Sequence, residues 1–184
     1  TELDLEIKDK TKATAEEKIT SVEGIELFTN LTYLNLKNQF IKDATPVEAL
    51  KKLEKLYITY TEIPSIQVKE MPELRDLRLF GNKNIKEIDV RSNTKLDTLY
   101  IQDTQISEID VTNNKELIDL NVNRTNLTRL ILADLPKLNQ VLAVKCQISS
   151  VSFKGLPAIK KIYIDNNQLT RVNLKDLPAL MHLS

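Results

Sequence analysis

Very few groups in this chain could begin chemistry. Its 184 residues include one cysteine, Cys146, and one histidine, His182. A thiol nucleophile needs a base within hydrogen-bond reach and a third group to orient that base. Cys146 sits in the apolar stretch "LNQVLAVKCQI" (138–148), and His182 lies far along the chain in "LMHLS". One cysteine excludes an intrachain disulfide and a cysteine-based zinc cluster. Three glycines leave no room for a Gly-rich phosphate loop. Asp103, Asp119 and Asp165 lack the ligand spacing of a calcium loop and read as solvated charges. No nucleophile, base and orienting group fall close together, so the expectation is a non-enzymatic chain with no metal and no cofactor.

Five tyrosines offer a different chemistry, that of contact rather than catalysis: Tyr33, Tyr57, Tyr60, Tyr100 and Tyr163. What would position them is an internal repeat. Segments beginning at 31 ("LTYLNLKNQFI"), 53 ("LEKLYITYTEI"), 74 ("LRDLRLFGN"), 96 ("LDTLYIQDTQI"), 117 ("LIDLNVNRTNL"), 138 ("LNQVLAVKCQI") and 159 ("IKKIYIDNNQL") align, with a truncated copy at 180. The spacings are 22, 21, 22, 21, 21, 21 and 21 residues. Positions 1, 4, 6 and 11 are apolar throughout, with position 11 one residue late, at Ile85, in the third copy. Back halves repeat as well: "ISEIDV" (106–111), "LTRLIL" (127–132), "ISSVSF" (148–153) and "LTRVNL" (169–174).

This pattern resembles the leucine-rich repeat, L-x-x-L-x-L-x-x-N/C-x-L, over residues 31–184. The lead-in "ITSVEGIELFTNLTYLNL" (19–36) resembles the first coil of bacterial internalin-type surface proteins, and "IDVTNNKEL" (109–117) the compact repeats of bacterial adhesins. The resemblance implies a right-handed solenoid with one parallel β-sheet on its concave face. It also implies a secreted or surface-attached protein that binds macromolecules. Position 9 departs from the ideal, being Asn only at Asn82 and Asn167. A coil of about 21 residues is too short for a full helix on its return leg, so short extended pieces or single turns are expected behind the sheet. At "TPVEAL" (45–50), Thr45, Pro46 and Glu48 predict a capping box and one helical turn. Pro72, Pro136, Pro157 and Pro178 recur at one corner, where proline costs no ladder bond. Thr14 with Glu17 predicts a short helix in a small N-terminal cap. The expected organisation is thus a cap and degenerate first coil over 1–30, and repeats over 31–184. "LPALMHLS" stops inside a strand, so the last coil's edge is expected bare unless more chain or a partner covers it.

Strand alternation then assigns directions. Positions 4 and 6 point inward; 3, 5 and 7 point out. Cys146 falls on position 9 with Gln39, Thr61, Asn82, Thr104, Thr125 and Asn167, where a small polar group bonds adjacent coils, so its expected role is structural. The outward strip carries Tyr33, Tyr57, Arg78, Phe80, Tyr100, Leu142, Val144 and Tyr163, with Tyr60 beside it at position 8. Aromatic anchors flanked by Lys55, Asp76, Arg124 and Asp165 have the composition of a protein interface. From Arg78 to Tyr163 the strip spans ~19 Å, a width suited to a protein or extended peptide.

Acidic and basic residues number 26 each, so no global field recruits nucleic acid. No run approaches the ~18 apolar residues of a membrane span. The expected function is recognition of a protein partner by the concave sheet, in adhesion or host interaction at a bacterial cell surface or outside the cell. Glycan binding by the tyrosines and a structural spacer presenting another domain are the alternatives.

Overall fold

The computed structural model describes residues 1–8 and 14–184. Nine short parallel strands stack into one sheet: β1 (Glu2–Asp4), β2 (Tyr33–Asn35), β3 (Lys55–Tyr57), β4 (Asp76–Arg78), β5 (Thr98–Tyr100), β6 (Asp119–Asn121), β8 (Gln140–Leu142), β10 (Lys161–Tyr163) and β12 (His182–Leu183). The register advances by whole repeats: Leu34, Leu56, Leu77, Leu99, Leu120, Val141 and Ile162 stand side by side. All seven are buried, as are the position 6 residues Leu36, Ile58, Leu79, Ile101, Val122, Ala143 and Ile164. A single apolar core therefore runs along the solenoid, each coil covering the next. This is the leucine-rich-repeat fold.

Three findings refine the expectations. The first concerns the back, where the extended pieces of the last full coils pair with one another. Strands β7 (Arg129–Ala133), β9 (Ser150–Lys154) and β11 (Arg171–Lys175) form a second parallel sheet in the order β11-β9-β7. The preceding two coils form no back strand. There Asp89 accepts a hydrogen bond from the Arg91 amide (3.1 Å) and Asp110 from the Thr112 amide (3.0 Å). Each carboxylate captures the backbone two residues on and turns the chain out of the extended ladder. Where Asp110 would fall, the next coil has Ile131, and its back segment stays extended.

Second, the capping box at Thr45 does not form. Thr45–Ala49 is a 3-10 turn capped by Ala44 without a side-chain bond, and the Thr45 amide donates to Asp43 (2.8 Å). Glu48 instead accepts from the Gln67 amide of the next coil (2.9 Å), because that donor would otherwise go unpaired at the coil junction. Third, the N-terminal segment holds no α-helix among its described residues. It contributes strand β1, paired with β2, and single 3-10 turns at Ala15–Glu17 and Ile25–Leu27. Half of the Thr14 motif is present, since the Thr14 amide donates to Glu17 (2.7 Å).

Two devices turn every coil. After each front strand one residue takes a left-handed backbone conformation: Asn38, Tyr60, Gly81, Asp103, Arg124, Lys145 and Asn166, with φ between 53 and 79°. All occupy position 8, immediately before the inward-turning position 9. At the far corner an amide three residues on bonds back, from Leu74 to Met71, Leu96 to Asn93, Leu117 to Asn114 and Leu138 to Leu135. The corner prolines take the second place of this turn, where their fixed φ fits. Asn93 and Asn114 replace the Leu-Pro type corner: buried, each side-chain amide donates to two carbonyls, Val68 and Met71 for Asn93, Val90 and Asn93 for Asn114.

Candidate functional site

The concave strip is organised around a buried carboxylate. Asp76, expected as a rim charge, is 8% exposed. It accepts two hydrogen bonds from the Arg78 guanidinium (2.9 and 2.8 Å) and one from the Tyr57 hydroxyl (2.6 Å). The fork of Arg78 is thereby locked, and its planar group lies 4.6 Å from the Tyr57 ring centre and 5.1 Å from that of Tyr100. Tyr57 and Tyr100 come from β3 and β5 on either side of β4, so strand register alone delivers this tyrosine, arginine, tyrosine row. Cation–π attraction and the bidentate ion pair act on the same side chain and preorganise it. Burial raises the Tyr57 hydroxyl pKa, and donation to the Asp76 carboxylate raises it further. Burial also raises that of Tyr100, with Asp119 adding to the effect. Both rings therefore present neutral, hydrogen-bonding hydroxyls across the physiological range.

The row extends towards the N-terminus. Tyr33 meets Tyr57 edge to face, centroids 5.4 Å apart. Tyr33 donates to Asp4 of β1 (3.3 Å), Asn35 also donates to Asp4 (3.2 Å), and Lys37 pairs with Glu6 (2.7 Å). Tyr60 and Phe80 form a second edge-to-face pair at 5.3 Å, with the Tyr60 ring lying over Gly81. A Cβ at position 81 would meet that ring at 2.4 Å, so it is the stacking that requires glycine there, where other coils hold larger residues in the same left-handed turn. Beyond Tyr100 the strip breaks. Asn121 is buried and accepts from the Asn123 amide (3.1 Å), while Asn123 accepts from the Val144 amide (2.7 Å). On the far side Leu142, Val144 and Tyr163 are half-buried, and the Tyr163 ring lies 4.7 Å from that of His182. Two patches result, one aromatic and cationic, one mainly aliphatic.

Position 9 behaves as a ladder of polar groups. Asn82 donates to the Ile58 and Leu79 carbonyls (2.6 and 2.7 Å) and accepts from the Thr61 amide and hydroxyl. The Cys146 thiol, 8% exposed, donates to the Val122 carbonyl (3.1 Å) and touches the Thr125 hydroxyl (3.4 Å). Asn167 continues the row with bonds to Ala143 and Ile164, and Gln39 begins it with a bond to Leu5. The thiol thus stitches coils together and faces no base.

Comparison with solved structures gives the same architecture. Internalin C2 of Listeria monocytogenes matches with a TM-score of 0.73 at 21% identity, covering 87% of this chain and 76% of that one. The chain folds as an internalin-type solenoid. A leucine-rich-repeat protein of Leptospira interrogans matches with a TM-score of 0.60 at 18% identity, covering 82% of this chain and 50% of that one, so this chain spans half its length. No family model and no curated protein matches the sequence.

On this internalin-type scaffold, repeat phase places every expected strip residue on the concave face, but not equally. Asn35, Thr59, Asp76 and Asn121, outward by alternation, are buried, because neighbouring side chains stand only about 4.8 Å away across a parallel sheet. Arg124 and Asp103 pair with one another at 2.6 Å, lowering the Asp103 pKa, and stay in the solvated rim. Three contributors were not among the expected strip residues: Asp4 on β1, Glu6 just beyond it, and His182 at position 3 of the truncated copy. The alternation Leu3, Leu5, Ile7 was the available signal, since it copies Leu34 and Leu36 without the rest of the motif. Among the described residues no His, Cys, Asp and Glu cluster could hold a metal, and no helix is long and apolar enough to cross a membrane.

Proposed function

We propose that the concave sheet is a protein-recognition surface, acting in adhesion or host interaction from a bacterial cell surface or the extracellular space. The carrying observation is the Tyr57, Arg78, Tyr100 row held by Asp76. Arg and Tyr are the residue types that dominate binding energy, and here their conformational entropy is already lost before a partner arrives. Leu142, Val144 and Tyr163 supply a second, apolar anchor, with Tyr33, Tyr60 and Phe80 along one border. The internalin-type fold supports the reading without naming a partner, since one scaffold hosts many recognition tasks.

The test is a binding screen against host-cell surface proteins and bacterial envelope proteins, run with wild type, Tyr100→Ala and Leu142→Asp. Ligands retained by wild type and lost by ~30-fold or more in either variant support the proposal, as an anchor of ~2 kcal/mol requires. Ligands bound equally by all three chains would refute it. Glycan binding is the second reading, because a tyrosine face can stack on a sugar ring. It predicts signal on a glycan array that falls with Tyr57→Ala, Tyr100→Ala or Tyr163→Ala. A spacer predicts no concave ligand of either kind.

A further inference from the structure

The back sheet stops abruptly at β7, which among the described residues pairs with β9 and with no other strand. Its register, Arg129 opposite Ser150 through Ala133 opposite Lys154, and the Asp134 amide bond to the Lys154 carbonyl fix which groups face β9. In a parallel pair alternate residues turn both backbone groups to the same neighbour. The backbone groups of Leu130 and Leu132 therefore serve β9, while those of Arg129, Ile131 and Ala133 face the other way. Among the described residues, no backbone hydrogen bond joins 107–112 to 128–133. The Asx turns at Asp89 and Asp110 have drawn the two preceding coils out of the ladder. A trough of about 740 Å³ lies against this edge, lined by Arg129 and Ile131 on the strand side. Ile88 and Ile109 line it from the turned coils, with Glu87 and Glu108 beside them. Ile131 is 54% exposed.

We infer that this trough is a second binding site, separate from the concave face, which accepts an extended basic peptide segment of a partner protein as a fourth strand on β7. An unpaired strand edge is a template for main-chain bonding, and pairing along its length specifies an extended occupant. Five residues at ~3.3 Å each match the length of β7. Charge selects the sign. Four carboxylates line the trough, Glu87, Asp89, Glu108 and Asp110, against two guanidiniums, and Arg91 is already bound to Asp89 at 2.7 and 2.9 Å. Alternation selects the pattern: one face of the added strand meets Ile88 and Ile109 and takes apolar side chains. The other carries Lys or Arg towards Glu87 and Glu108.

The experiment uses a fluorescein-labelled heptapeptide of alternating Lys and Val, its Glu and Val counterpart, and the Lys and Val peptide N-methylated on alternate amides in each of its two phases. Wild type is expected to bind the Lys and Val peptide at least tenfold more tightly than the acidic one, and one methylation phase is expected to abolish binding. Ile131→Pro removes an edge amide that β9 does not use. It should weaken binding tenfold or more while thermal unfolding and circular dichroism stay those of wild type. Should that variant fail to fold, Glu87→Lys with Glu108→Lys must reverse the peptide preference. Absence of binding, equal binding of both methylated phases, or no charge preference would overturn the inference. A dimer in sedimentation that Ile131→Pro dissolves would put a second copy of the chain in the trough and would also overturn it.

Discussion

The front and the back of the solenoid obey different determinants. In front, nine strands pair without interruption, although the outward side chains range from lysine to leucine to tyrosine. Behind, coils of 21 or 22 residues yield a 3-10 turn in the first full repeat, Asx turns in the third and fourth, and a three-stranded sheet in the last three. The front is governed by inward positions 4 and 6, which every copy keeps apolar. The back is governed by one or two residues per coil that either release the chain to extend or capture a backbone amide. Regularity in a repeat protein is thus imposed where burial leaves no choice, and variation collects where solvent can satisfy the backbone.

The largest test of that contrast lies in the inward ladder. Cys146→Asp should abolish folding at room temperature, because a carboxylate there has no cation and displaces the bond to Val122. The cost is several kcal/mol, comparable to the whole stability of such a domain. Thermal and chemical unfolding would show it, and a cooperative native transition would contradict the assigned role of position 9. Next in size, Asn114→Ala leaves the Val90 and Asn93 carbonyls without their side-chain donor and should cost about 2 kcal/mol or more in urea unfolding.

A sharper test converts one back type into the other. Replacing Asp110, Thr112, Asn113, Asn114 and Lys115 with Ile, Ala, Asp, Leu and Pro gives the fourth coil the corner of the fifth. Amide exchange over 107–112 should slow at least tenfold as a fourth back strand forms, and the basic heptapeptide should lose its site. Unchanged exchange would mean that the Asx turns are a consequence, not a cause, of the missing ladder.

The front cluster gives a smaller, pH-dependent signal. Since the folded state raises the Tyr57 pKa above its unfolded value near 10, the stabilisation is complete below about pH 10 and is lost as pH rises through the folded pKa. Tyr57→Phe should remove that alkaline loss from the stability profile and cost about 1 kcal/mol at pH 7, where one hydrogen bond to Asp76 disappears. The smallest effect belongs to Leu142→Asp. Its side chain is half-buried on the open face, so unfolding should shift by less than about 0.5 kcal/mol while ligand binding suffers. A severe loss of stability there would show that the strip is part of the core.

Much of this was legible in the chain. Leucine spacing identified the coil, its phase and the inward or outward sense of each strand residue. Placing Cys146 in register with Asn82 and Thr125 was enough to make it structural. Other features were not legible, for identifiable reasons. Asp76 reads as an exposed strand charge until the register brings Tyr57 alongside it and the Arg78 fork closes over it. Strand β1 escapes the alignment because the copy with Leu3 and Leu5 at positions 4 and 6 has Lys10 at position 11, where the other copies place an apolar residue at or next to that position. The left-handed residue at position 8 has no compositional mark: Asn, Tyr, Gly, Asp, Arg and Lys all occupy it, since the turn is enforced by the buried residues on both sides.

By itself, then, the sequence determined the solenoid and the side of it on which the tyrosines stand, because a period of about 21 residues with buried positions 4 and 6 admits one phase. Only the tertiary structure decided which outward groups touch. The Tyr57, Arg78, Tyr100 row, the gap at Asn121 and the open edge of β7 all depend on lateral register between coils. Residues 21 or more apart become neighbours at strand spacing only once the coils have stacked.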